Sequence, residues 1–149
     1  VSEFDPDRFQ WDDEALQQFN AEILEEFRAN DGKVGGVFEG LDVVLLTTTG
    51  AKTGQPRLTP LVCLRIDGQT VVVGSRGGAP KDPAWVGNVR ANPNAQLEIG
   101  TEKYGVIVRE IPRPERDALF ERVVAMAPNF GDYQAKTTRV IPLFDLQRV

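Results

Sequence analysis

The dipeptide Asp67-Gly68 sits between two strand-like runs, residues 57–66 and 69–74. Asp-Gly is favoured in two-residue hairpins because both positions tolerate positive φ, so these runs are expected to pair antiparallel. That local commitment steers the chain towards sheets built from consecutive antiparallel strands. Residues 43–48, an apolar run closed by threonines, read as a buried strand. Residues 95–99 and 103–111 read as a second hairpin turning through Gly100, and 140–146 as a last strand. Two helical stretches interrupt the series. One starts at Asp82-Pro83, with Asp as cap and Pro at the first helical position, and runs to Arg90. The other opens at Pro114 and buries Leu119, Phe120, Val123 and Val124. The expected class is mostly β (α+β), a small barrel with peripheral helices.

Ahead of the strands, residues 12–27 place Leu16, Phe19, Ile23 and Phe27 on one helical face, with Asp12, Asp13 and Glu14 suited to the positive N-terminal end. The helix is expected to stop at Ala29-Asn30-Asp31-Gly32. Gly32-Lys33-Val34-Gly35-Gly36 follows and reads as a hinge, with a cofactor-lining loop as the alternative. The division is an acidic helical leader, 1–31, and a barrel domain, 32–149. The helix either packs on the barrel or closes over a pocket as a lid.

Charge divides the chain in the same way. Of a net charge of −5, residues 1–31 hold ten acidic residues against Arg8 and Arg28. Between residues 50 and 90, Lys52, Arg57, Arg65, Arg76, Lys81 and Arg90 face only Asp67 and Asp82. These cations lie in turns without interleaved aromatics, which argues against nucleic acid and for a phosphorylated or carboxylated small molecule. The chain has no histidine, so Ser-His-Asp and Cys-His nucleophiles and the usual zinc sites are excluded. In an enzyme, chemistry is then expected to fall to a cofactor, with carboxylates, Lys and Tyr as the alternative. A lone Cys63 and the lack of a membrane-length apolar run suit a cytoplasmic protein, and the start does not read as a signal peptide.

Two Gly-rich turns carry the functional signal. In Thr47-Thr48-Thr49-Gly50-Ala51-Lys52-Thr53-Gly54-Gln55-Pro56-Arg57, Ala51 stands where a P-loop has glycine, so nucleotide hydrolysis is not implied. Gly50 and Gly54 are expected to present amide N–H groups to an anion, with Lys52 and Arg57 as cations. Ser75-Arg76-Gly77-Gly78-Ala79-Pro80-Lys81 has the wrong spacing for a dinucleotide fingerprint. It again pairs glycines with cations, now ahead of a helix whose N-terminus favours anions. Trp85 either covers a flat ring or fills the core.

With Pro60-Leu61, Pro83-Ala84-Trp85, Asn88, Ala91-Asn92-Pro93, Asp132-Tyr133-Gln134, Arg139 and Ile141-Pro142, this ordered set resembles the deazaflavin (F420)-dependent nitroreductase family of actinobacteria, which includes F420H2-dependent quinone reductases. The resemblance implies a split β-barrel like that of FMN-binding reductases, holding coenzyme F420 in a groove. By motif, Lys52, Thr53, Gly54 and Arg57 would hold phosphate and tail. Thr59, Pro60, Ser75, Arg76, Gly77 and Gly78 would line the chromophore, with Trp85 and Asn88 nearby. Tyr133 is the candidate for substrate contact or proton donation, with Ser75 as polar support. Where nitroimidazole-reducing members carry extra tyrosines, this chain has Val62, Ala127 and Phe130, so planar hydrophobic acceptors such as quinones or unsaturated lactones are expected instead. An FMN-using enzyme on the same barrel and a non-catalytic F420 carrier are the alternatives. Peripheral membrane contact is open, although the acidic helix opposes attraction to anionic lipid.

Overall fold

The computed structural model describes residues 13–34 and 42–149. The proposed leader residues 1–12 and Gly35-Gly36 of the hinge lie outside the described residues. Six strands form a closed antiparallel barrel in the order β1-β2-β3-β6-β5-β4. They are β1 (Asp42–Thr49), β2 (Pro56–Ile66), β3 (Gln69–Val73), β4 (Asn94–Ile99), β5 (Glu102–Glu110) and β6 (Leu143–Arg148). Asp67 and Gly68 take φ of 51° and 78°, and Ile66 pairs with Gln69 across them.

Strands covered on both faces read as unbroken apolar runs rather than alternating ones. Val44 and Leu46 of β1 point into the barrel, with Cys63, Val72, Leu97 and Phe144. Their neighbours Val43 and Leu45 face the other way, beneath Phe19, Ile23 and Phe27 of α1 (Asp13–Ala29). The same alternation splits β3: Val72 belongs to the barrel interior, while Val71 and Val73 pack with α3 (Glu115–Met126) and α4 (Asn129–Ala135). Helix α2 (Ala84–Ala91) adds Trp85, Val86 and Val89 to the barrel core.

The helix α1 ends where expected, with the Gly32 N–H donating to Phe27 O at 2.9 Å. Asp31 and Gly32 take the positive φ there, whereas Asn30 turns its side-chain amide onto Glu26 O. Beyond apolar packing, α1 is tied to the barrel by the Arg28 guanidinium, which grips both carboxylate oxygens of Glu98. Glu98 is buried, so the helix end docks by an ion pair as well as by its apolar stripe.

Two expectations need correction. The last strand begins at Leu143, not at residue 140. Ile141 N–H is taken by Gln134 Oε1 (3.0 Å), and Pro142, which has no N–H, gives its carbonyl to Gly74 N–H (2.9 Å). Those groups serve loops instead of the ladder. Finally, Asp82 does not cap α2; Pro83 holds the N-cap position without a side-chain bond. The Asp82 carboxylate is engaged by two arginines, Arg90 (3.1 Å) and Arg139 (2.8 Å).

Candidate active site

Of β2, strand β3 pairs only with Cys63–Ile66, while β1 pairs with Pro56–Cys63. The edge of β2 from Pro56 to Val62 therefore has no strand partner on the β3 side. Proline in a sheet is confined to such edges, and Pro60 marks this one. A cavity of about 940 Å³ fills the gap, at the large end of small-molecule pockets. Because the strand rises about 3.3 Å per residue, Arg57, Thr59, Pro60 and Val62 spread along roughly 17 Å of its wall. All four line the cavity.

The two ends of that wall differ in chemistry. Near Arg57 lie Gly50, Ala51, Lys52 and Thr53. The turn is locked by Gly50 N–H to Gln55 O (2.8 Å), Gly54 N–H to Gly50 O (2.9 Å) and Gln55 N–H to Thr53 Oγ1 (3.2 Å). Asn88 fastens it to α2, accepting from Ala51 N–H (3.0 Å) and donating to Thr48 Oγ1 (3.2 Å). The expected anion cradle from Gly50 and Gly54 is thus corrected: their N–H groups are consumed inside the turn. What the turn offers is Lys52 and Arg57. Neither reaches a carboxylate among the described residues, and Arg57 donates only to Thr53 Oγ1 at 3.4 Å. By contrast, Arg90 is paired with Glu110 and Asp82, and Arg139 with Asp82. Two cations left uncompensated at one mouth favour an anionic ligand.

At the other end Val62, Ala127, Phe130 and Tyr133 belong to one apolar cluster and line the cavity. Phe130 and Tyr133 meet edge to face, with centroids 5.8 Å apart. Burial pushes the Tyr133 phenol up to about 12, with Asp132 adding to the shift. Tyr133 Oη therefore keeps its proton at any physiological pH and acts as a hydrogen-bond donor, not as a ready acid. Helix α4 is anchored by Gln134, which accepts from Arg116 (2.9 Å) and donates to Arg139 O (2.7 Å).

Ser75, Arg76 and Asn88 line the space between, and Trp85 borders it while 3% exposed and packed on Phe144, with ring centroids 5.0 Å apart. Gly54 and Gly78 are not cavity walls. Gly78 instead sits at φ +84° where an added Cβ would lie 2.5 Å from Tyr133 O. Gly77 lies within the same 3-10 turn, Arg76–Gly78. Gly78→Ala is expected to cost about 2 kcal/mol or more, since it combines left-handed strain with a backbone clash. A thermal melt checks this, and the loss should fall mainly on kcat because α4 carries Tyr133.

The sequence leaves α1 open as packing or as a lid, and does not single out the residues by which it borders the cavity. Gln17, Phe19, Asn20 and Ile23 of α1 border the cavity, as do Leu58 and Leu61 of β2. The apolar stripe of α1 signals packing, and nothing in Gln17 or Asn20 marks them as pocket residues. No described helix is long and apolar enough to cross a membrane.

Residues 20–147 match the family described as F420H(2)-dependent quinone reductase. The chain belongs to that family. An F420H(2)-dependent quinone reductase of Mycobacterium tuberculosis is 35% identical over 126 residues, 82% of this chain and 85% of that protein. A solved F420-H2 dependent reductase is 39% identical, with a TM-score of 0.63 over 70% of this chain and 93% of its own. Another solved structure, described as a domain-swapped dimer, is 34% identical with a TM-score of 0.65, covering 89% of this chain and 97% of that one. The fold is accordingly the split β-barrel, the protein is an oxidoreductase, and its cofactor is F420. The cavity walls fit that cofactor: a long trough joins two uncompensated cations to an apolar, aromatic wall, as a flat ring with an anionic tail requires.

Proposed function

We propose that this F420H2-dependent quinone reductase relative reduces planar hydrophobic acceptors, with quinones turned over in preference to nitroimidazoles. The observation that carries this reading is the wall of Val62, Ala127, Phe130 and Tyr133, which offers one phenol amid apolar groups. Such a wall desolvates a flat apolar ring and supplies one donor for its carbonyl oxygen. Bound in the trough, reduced F420 supplies a hydride.

The chain's own residues position the partners. Lys52 and Arg57 hold the phosphate and carboxylates of the tail, and Thr53 supports Arg57. Thr59, Pro60, Ser75 and Arg76 border the ring, and Trp85 backs it from the core. Asn88 fixes the turn that carries Lys52. Tyr133 Oη donates a hydrogen bond to the acceptor oxygen and keeps its proton, with Ser75 as a second polar group, and water supplies the proton that completes the reduced acceptor. Helix α1 shields the site, because Phe19 and Ile23 close it against water. Peripheral contact with a membrane would bring lipid-soluble quinones to this opening.

Tyr133→Phe is expected to lower kcat about tenfold or more, the scale of one lost donor to developing charge. Since the wild-type phenol does not titrate below about 10, the pH profiles of both forms should run parallel from about pH 6 to about pH 9. The test of the proposal is turnover of reduced F420 across a menadione-type quinone, an unsaturated lactone and a nitroimidazole. The quinone should be reduced fastest. A nitroimidazole reduced as fast as the quinone would contradict it, and tight F420 binding with no turnover of any acceptor would favour the carrier.

A further inference from the structure

Arg76 stands on the cavity wall with φ +44°, a left-handed conformation that is uncommon for a residue other than Gly, Asn or Asp. The neighbouring contacts show what holds it there. Ser75 O, immediately before Arg76, accepts from Arg139 Nη2 (2.7 Å) and from Gly78 N–H (2.9 Å). Arg76 O accepts from Ala79 N–H at 3.1 Å. The same Arg139 guanidinium donates to Gly74 O (3.1 Å) and Ala79 O (2.8 Å), so it grips the backbone on both sides of the strained residue. Asp82 Oδ1 accepts from the same Nη1 that reaches Gly74 O, at 2.8 Å.

We infer that Arg139 is a positioning residue that, through this clamp, holds Arg76 in its left-handed conformation and so aims its guanidinium at the cofactor trough. Arg139 touches no ligand itself and does not line the cavity; it acts through the main chain of residues 74–79. Its planar fork is required, because three carbonyls and a carboxylate are reached at once, which the point charge of lysine cannot do. Burial holds the Arg139 pKa below the usual arginine value, and the nearby Arg76 charge adds to this, placing the two guanidinium groups within electrostatic reach. The inference rests on F420 being the ligand of the trough.

A double-mutant cycle on the full chain tests it, with Arg139→Lys and Arg76→Ala read by titration of oxidised F420 and by thermal melting. Arg139→Lys should raise the F420 Kd about tenfold, and in the Arg76→Ala background by less than about twofold, because the clamp then has nothing left to aim. In steady state its KM for F420H2 should rise while kcat at saturation changes less than about twofold. Equal fold losses in both backgrounds, or an unchanged Kd in Arg139→Lys, would overturn the positioning role and leave Arg139 a support of the fold. If Arg139→Lys does not fold, Asp82→Asn enters the same cycle with the same two expectations. A wild-type chain that bound no F420 would overturn this inference together with the cofactor assignment, whereas binding with a multiplicative cycle overturns the inference alone.

Discussion

Trp85→Ala is expected to lose about 3–5 kcal/mol of stability, the scale of a large aromatic removed from a packed core. Trp85 sits at the start of α2, 3% exposed, against Phe144 and the barrel interior. Its removal opens a void that Val86 and Val89, fixed on the same helix, cannot fill. For a chain of this size the melting temperature should fall by about 10 °C. Trp85→Phe keeps an edge-to-face partner for Phe144 and should lose much less, with F420 binding largely retained. Thermal unfolding of the two variants checks this. A loss below about 1 kcal/mol for Trp85→Ala would show the indole to be surface cover rather than core.

The second large effect concerns binding. Lys52→Ala with Arg57→Ala should weaken F420 binding about a hundredfold or more, since each charge-assisted contact is worth roughly 1.5–3 kcal/mol. The fold should be untouched, because both side chains are exposed and neither supports a core contact. The salt dependence should fall with the affinity: wild-type binding weakens as salt screens the cationic mouth, and the double variant should be less sensitive, keeping only the contribution of Arg76. Titration of F420 at two ionic strengths, with a melting curve for each form, separates this from general damage.

Much of the barrel is legible in the sequence for physical reasons that can be named. Asp67-Gly68 fixes one hairpin because its turn type demands positive φ at both positions. The unbroken run Val43-Val44-Leu45-Leu46 announces a strand covered on both faces. The last strand is misplaced because apolar content at Val140 and Ile141 does not reveal that their neighbourhood bonds to Gln134 and Gly74 instead of to a strand. Asp82-Pro83 reads as a cap by local chemistry, but two arginines distant in sequence compete for the carboxylate and win. Local propensity cannot see that competition.

At the site the same boundary holds. The cationic turn and the segment from Ser75 are recognisable because each compresses its chemistry into a few consecutive residues. That Gly50 and Gly54 exhaust their N–H groups internally, and that Gly78 is needed for the backbone of Tyr133, depends on tertiary approach. The contribution of α1 to the cavity likewise follows from docking through Phe19, Ile23 and the Arg28–Glu98 pair. Neither spacing nor composition encodes it.

The two Gly-rich turns thus flank a trough along the free edge of β2, cationic at one end and aromatic at the other. The measurement that tests this most directly is competition binding of F420 against FMN to the purified wild-type chain. F420 should bind in a salt-sensitive manner and resist displacement by FMN. Binding of FMN with no binding of F420 would contradict the account.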